Sequence, residues 1–324
     1  METTLLVSSS PHIRDNSTTQ RIMLDVILAL LPALFVASWF FGAYVFLLTG
    51  VTVLTAVVSE ALWTRLMKKP STVGDLSAAL TGLLLAMNLP PDAPLWIGII
   101  GAFLAIILIK QLFGGLGQNF MNPALGARVI LLLAWTPIMT HWIAPQAGAL
   151  LAGFWPAPET ITGASPLALL KSIEAPDPGL WDLLLGNRPG SLGEAPSLAL
   201  LVGAAYLAIR KVIDLRGPLI IVGITVIFGW IFGGSQGLFT GNPLLYAFSG
   251  SLILGAFFMA TDYATAPGTP MGRLIYVVGI GFLTGLIRHF TNYPEGVSFA
   301  IILMNVASPL IERLTIPRSF GGSK

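Results

Sequence analysis

RIMLDVILALLPALFVASWFFGAYVFLLTGVTVLTAVVSEALWTRLMKK, residues 21–69, is the stretch that decides the fold. It holds two apolar runs, residues 22–40 and 43–66, which meet at Gly42 and end before Lys68 and Lys69. A helix needs about 20 apolar residues to cross the hydrocarbon core of a bilayer, and both runs reach that length. The residues ahead of the first run are polar, so 22–40 is expected to stay in the chain as its first span rather than to act as a cleaved leader.

The pattern continues outward from this pair. Of 324 residues, 55% are hydrophobic and only 10% charged, with a mean hydropathy of +0.82. A soluble domain carries about 25% charge, so lipid must be the solvent for most of this chain. Further apolar runs at 76–87, 95–112, 124–135, 197–209, 219–232, 244–259, 274–289 and 296–312 raise the expected total to about ten membrane-crossing helices. The fold class expected is therefore an all-α integral membrane protein. Runs 76–87 and 124–135 are short enough to be half-helices, which is tolerated only where protein or a cavity satisfies their backbone. The net charge of +2 gives no basic face for nucleic acid. The absence of cysteine excludes disulfides, iron–sulfur ligation and thiol chemistry within the chain. His12, His141 and His289 are too scattered to suggest a metal cluster.

Lysine and arginine orient the spans. With the N-terminus on the cytoplasmic side, Arg14, Arg21, Arg65, Lys68, Lys69, Lys110, Arg128, Arg210, Lys211, Arg216, Arg273, Arg313, Arg318 and Lys324 fall inside. Only Lys171, Arg188 and Arg288 fall outside, which accounts for all 17. Cytoplasmic loops carry this excess in membrane proteins. Removing one span would scramble the alternation; removing two adjacent ones would disturb it less, so eight helices is also compatible. The expected organisation is a cytoplasmic segment (1–21), a first five-helix half (22–135), a long extracytoplasmic loop (136–196), a second five-helix half (197–312) and a cytoplasmic tail (313–324).

Five helices on each side of one loop makes the halves run in opposite directions, which is the arithmetic of an inverted repeat. ALTGLLLAM at 79–87 is similar to part of FSGSLILGAFFM at 248–259. GAFLAIILIK at 101–110 is similar to GIGFLTGLIR at 279–288, each with a cation nine residues after a glycine. The loop between the halves is acidic, with Glu159, Glu174, Asp177, Asp182 and Glu194 against Lys171 and Arg188, and a loop of this length usually carries function.

Within that loop stands Glu159-Thr160-Ile161-Thr162-Gly163-Ala164-Ser165-Pro166. Gly163 permits a tight turn, and Ser165 followed by Pro166 is a usual helix start. A phosphate on the Ser165 hydroxyl would meet the free N–H groups of a helix N-terminus; the plainer reading is that Ser165 only caps a loop helix. A second feature is the glycine- and asparagine-rich stretch 114–128, where Asn119 and Asn122 stand three apart and could share one helical face. These amides suit the carbonyl and N–H edge of a planar ring; equally, Asn122-Pro123 could be the cap and first residue of the fifth helix. Among the acids, Asp25, Glu60, Asp75 and Asp262 lie within or near spans. Structural pairing with Arg21, Arg65, Lys68, Lys69 or Arg273 is favoured over an ion path, although an acid at membrane depth is a functional candidate by default. The tryptophans read as an interfacial belt.

The segment Thr162-Gly163-Ala164-Ser165, with Glu159 in the acidic position, resembles the flavinylation motif Asp-x-x-Ser/Thr-Gly-Ala-Thr/Ser, in which a transferase esterifies the last hydroxyl with the phosphate of FMN. Serine replaces the usual threonine and glutamate the usual aspartate. Together with Ser10-Pro11-His12, Met87-Asn88-Leu89-Pro90-Pro91, residues 114–124 and residues 260–267, it makes nearly the whole chain resemble the D subunits of Rnf electron transport complexes. The related B subunit of the sodium-pumping NADH:quinone oxidoreductase is similar, with a longer N-terminal extension. The resemblance implies a membrane subunit holding FMN as a phosphoester on Ser165. The complex would pass electrons between ferredoxin and NAD and move sodium ions or protons. It also implies the A, B, C, E and G subunits as partners, a flavin transferase for maturation, and a non-covalent riboflavin for which Asn119 and Asn122 are candidates. A secondary transporter with inverted repeats is the rival class.

Overall fold

The computed structural model describes residues 18–152, 163, 179–194, 196–234, 237–291 and 296–316. The described residues are dominated by helices. Four of these are long and apolar enough to cross a membrane: α1 (Thr19–Phe41), α2 (Tyr44–Leu66), α12 (Pro270–Phe290) and α13 (Gly296–Thr315). Shorter apolar helices lie between the two long pairs: α3 (Ser77–Met87), α4 (Leu95–Gln111), α5 (Pro123–Ala134), α8 (Ser197–Ile209) and α9 (Arg216–Phe232). Single-turn pieces α6 (Thr136–Met139) and α7 (Leu180–Leu185) belong to the connection between α5 and α8. The run expected as one helix over 244–259 is instead broken. It forms α10 (Pro243–Phe248), a turn, and α11, whose α-helical residues Leu252–Leu254 continue as the π-helix Gly255–Met259. The break has a backbone cause: Gly250 at φ 68° and Ser251 at φ 53° are both left-handed, which stops helix propagation.

The starts are written in the sequence. Thr18, Asn122, Asn242 and Thr269 each accept a backbone N–H at a helix head, and the last three are followed by proline at the first helical position. The long helices pack as α12 on α13, α9 on α12, α2 on α3 and α4, and α1 on α8. Contact between α1 and α8 is close enough that a Cβ on Gly203 would lie 2.1 Å from the Ala29 carbonyl oxygen. Glycine is required there for the backbones to meet.

The bundle has two distinct ends. At one, the Gln146 N–H donates to the Phe40 carbonyl (2.9 Å), the Tyr44 hydroxyl donates to the Ala93 carbonyl (2.9 Å), and His141 pairs with Asp92 (2.6 Å). This is the loop end. At the other, Arg21, Arg65, Lys68, Lys69, Arg210, Lys211, Arg216, Arg273 and Arg313 are all exposed. This is the basic end. Two cations expected beside them, Lys110 and Arg128, are instead buried inside the bundle. Arg128 sits in the sixth position of α5 and donates to Asn88 and to Ser298 (3.3 Å).

The helix α3 starts at the basic end and, at about 1.5 Å per residue, its 11 residues cross only part of the bundle. Beyond it the loop end is filled by irregular backbone. The Gly193 N–H donates to the Met87 carbonyl (2.6 Å) and the Leu192 N–H to the Leu89 carbonyl (3.1 Å). A Cβ on Gly193 would lie 2.8 Å from that Met87 oxygen, so only glycine lets the strap approach the helix end. Non-helical backbone is stable inside such a bundle because protein groups satisfy it.

Candidate functional site

At the basic end a cavity opens among the heads and tails of α1, α3, α4, α5 and α11. Its wall includes Ser77, Lys110, Asn119, Asn122, Asp262 and Tyr263, with apolar faces from Met23, Leu84 and Phe258. Polar groups of both donor and acceptor type thus face one space inside an otherwise apolar bundle, the usual make-up of a small-molecule site.

The two asparagines expected at a ring-binding surface both reach this cavity, but not on one helical face. Residues 112–122 leave helical geometry between α4 and α5, with Gly114, Gly115 and Gly117 at positive φ. Asn122 caps α5: its Oδ1 accepts from the Ala124 N–H (3.1 Å) and the Leu125 N–H (3.3 Å), while its Nδ2 donates to the Met259 carbonyl (3.4 Å). Asn119 Nδ2 donates to the Met121 carbonyl (3.2 Å), and its buried Oδ1 has no partner among the described residues. An orphaned buried acceptor is costly, and this one belongs to a residue lining the cavity. The cap is thus Asn122 alone, and both asparagines line the cavity.

Beside the asparagines the cavity is lined by Lys110, which pairs with Glu60; Glu60 was expected to be paired, but Lys110 was not the cation expected to meet it. Glu60 and Lys110 are almost wholly enclosed, and Lys110 Nζ lies 2.9 Å from Glu60 Oε1. The same oxygen accepts from Gln111 Nε2 (2.7 Å) and the Thr72 hydroxyl (2.8 Å), whereas Glu60 Oε2 has no partner among the described residues. Lys110 also donates to the Ser77 hydroxyl (2.5 Å), which donates onward to Asp75 Oδ1 (2.5 Å). Lys110 and Gln111 reach one carboxylate from consecutive positions on a π-helical turn, Leu104–Gln111, a distortion common at functional sites. The sequence signal was a Lys-Gln pair inside an apolar run.

Asp262 also lines the cavity, its carboxylate accepting from the Ala264 N–H (3.2 Å) and the Thr265 hydroxyl (3.4 Å). Burial pushes this carboxyl above the ordinary carboxylate range, and the two hydrogen bonds pull it part of the way back. Asp25 stands apart: Arg210 and the Tyr206 hydroxyl hold it (3.1 and 3.0 Å), so it is paired structurally, though not by any cation expected from sequence.

Of the loop motif, Glu159, Thr162, Ala164 and Ser165 lie outside the described residues. Gly163 is at the loop end, where its N–H donates to the Trp142 carbonyl (3.0 Å). A Cβ there would meet Pro189 Cγ at 2.6 Å, so close packing on Pro189 is the reason for glycine.

Comparison with known proteins gives a consistent result. The model of the NQR2, RnfD, RnfE family matches residues 6–321. The chain is 47% identical to the D subunit of the Na(+)-translocating ferredoxin:NAD(+) oxidoreductase complex of Acetobacterium woodii, covering 100% of this chain and 97% of the relative. It is 40% identical to the D subunit of the proton-translocating ferredoxin:NAD(+) oxidoreductase complex of Clostridium ljungdahlii, covering 97% and 96%. It is also 40% identical to the D subunit of an ion-translocating oxidoreductase complex of Shewanella amazonensis, covering 97% of each.

Proposed function

The chain belongs to the NQR2, RnfD, RnfE family, and from that premise we propose that it is the flavin-bearing membrane subunit of an ion-translocating ferredoxin:NAD oxidoreductase. The observation that carries this reading is similarity along the full length to D subunits of such complexes. Those relatives' names divide between sodium ions and protons, so the reading assigns ion coupling and not the ion. The chain works with the other membrane and peripheral subunits of an Rnf complex (A, B, C, E and G) and is matured by a flavin transferase. It crosses the cell membrane about ten times as two inverted halves of five helices, with both termini and the basic end cytoplasmic and the loop end extracytoplasmic. Nine exposed cations at one end of the bundle support that orientation.

FMN is held as a phosphoester on Ser165 at the extracytoplasmic face. The Thr162-Gly163-Ala164-Ser165 motif supports this, as does Gly163 at the loop end. A second flavin, non-covalent riboflavin, sits in the cavity at the basic end. The residues there fit its ring: the orphaned Asn119 Oδ1 is an acceptor for a ring N–H, Lys110 is a donor to ring oxygens, and Phe258 and Leu84 are apolar cover. When bound, a flavin supplies the uptake and release of electrons; the protein supplies position and potential. Asn119 orients, Asn122 fixes the head of α5 against the Met259 carbonyl, and the surrounding apolar wall excludes water.

Mass spectrometry of the peptide covering residues 159–171 tests the covalent site. A mass increase matching esterified FMN is expected, with the corresponding in-gel fluorescence abolished by Ser165→Ala. A bare peptide from cells with active flavin transferase would refute the attachment.

A further inference from the structure

We infer that the buried Lys110–Glu60 pair sets the reduction potential of the non-covalent flavin in the basic-end cavity; this rests on the reading of that cavity as a flavin site. Lys110 lines the cavity and Glu60 does not. Since the ammonium and the carboxylate are 2.9 Å apart, the pair is an oriented dipole with its positive end toward the bound ring. Two of the three ammonium protons go to Glu60 and Ser77, and the third has no protein acceptor among the described residues. The pair is nearly inaccessible to water, where a fixed charge acts far more strongly than in solvent.

Among the described lining residues the other ionisable side chain is Asp262. A ring that gains negative charge is therefore stabilised by Lys110. One electron enters from a one-electron carrier in a neighbouring subunit. No bond forms or breaks and no proton is needed; the negative charge that a bound ring would gain would be stabilised by the Lys110 ammonium. Glu60 tempers this effect from behind. Its partners Thr72 and Gln111 hold it in place.

A purely structural ion pair and a potential-setting dipole differ in one readout. Removing the positive end lowers the potential, removing the negative end raises it, and a structural pair gives no such opposition. The test uses the purified complex carrying wild-type chain, Lys110→Met, Lys110→Arg, Glu60→Gln or Asn119→Leu. Acid-released flavin is measured, and reduction is followed spectroscopically against applied potential; the flavin missing from Asn119→Leu identifies the cavity's signal. Lys110→Met is expected to weaken the one-electron reduction equilibrium at least tenfold, which is 59 mV for a one-electron couple. Glu60→Gln is expected to strengthen it, and Lys110→Arg to stay close to wild type. Flavin retained with unchanged potentials, or with shifts of the same sign in Lys110→Met and Glu60→Gln, overturns the inference while leaving the flavin site standing. A wild-type complex that releases no more flavin than Asn119→Leu overturns the flavin reading of the cavity, and the inference with it. If Lys110→Met fails to assemble, Glu60→Gln, which keeps the side-chain shape, carries the sign: a raised potential supports the inference and an unchanged or lowered one refutes it.

Discussion

The short helices α3 and α11 begin alike and are surrounded differently. Each is preceded by a non-glycine residue in left-handed geometry, Leu76 at φ 63° and Ser251 at φ 53°, a conformation that costs on the order of 1–3 kcal/mol and persists where surroundings enforce it. Near the head of α3 the buried cation is Lys110, which pairs with a carboxylate and faces open space. Near the head of α11 it is Arg288, which is not among the residues lining that cavity. Its guanidinium donates to the carbonyls of Tyr246 (2.7 Å), Ser249 (2.5 Å) and Gly250 (3.1 Å), sealing the end of α10. Glu194 completes the seal by accepting the Gly250 N–H (2.6 Å). A buried cation thus holds backbone carbonyls in one region and lines a cavity beside a carboxylate in the other, and the difference follows from the acceptors that each one meets.

That contrast can be broken by substitution. Arg288→Met carries the largest expected effect, because it strands three carbonyls inside the protein. A loss of at least about 3 kcal/mol is expected, read as a sharply lower melting temperature and poor recovery of the solubilised chain. Should Arg288→Met melt like wild type, the assignment of Arg288 to that seal would be wrong. Asn122→Ala comes next. Loss of the α5 cap costs about 1 kcal/mol, and the contact to Met259 goes with it, so a modestly lower melting temperature should accompany loss of acid-releasable flavin. Asp25→Asn should do least. Its partner Arg210 is 37% exposed, such pairs contribute about 0–1 kcal/mol, and neither flavin content nor potential should change. A potential shift in Asp25→Asn would show that cavity electrostatics reach further than the Lys110–Glu60 pair.

What sequence disclosed and what it hid divide along physical lines. The four long helices were legible because a bilayer demands unbroken apolar length, and residues 22–40, 43–66, 274–289 and 296–312 meet that demand nearly by themselves. Asn122-Pro123 was legible as a helix start because the cap is a local interaction. The break at Ser249–Ser251 was not, since Ser-Gly-Ser is a short interruption between two apolar stretches and the left-handed turn is held by Arg288 from another helix. Lys110 and Arg128 were assigned to a water-facing end because charge counting assumes that cations seek water. Both are instead satisfied by residues distant in the chain, Glu60 for one, Asn88 and Ser298 for the other, and no local pattern announces such partners. The Asn119–Asn122 spacing suggested a helical face because glycine's effect on 112–122 was underweighted against that spacing.

The bond from Asn122 to the Met259 carbonyl spans 137 positions of sequence, and this imposes an order on biosynthesis. When α5 leaves the ribosome its capping amide has no carbonyl to meet, and one wall of the cavity has not been made. The segment with Ser165 is translated next, well ahead of Phe258, Thr261 and Asp262, which complete the cavity. A nascent chain therefore presents the Ser165 hydroxyl before the cavity is complete. On the proposed flavin assignments, truncations ending before residue 258 should carry FMN at Ser165 and release no non-covalent flavin.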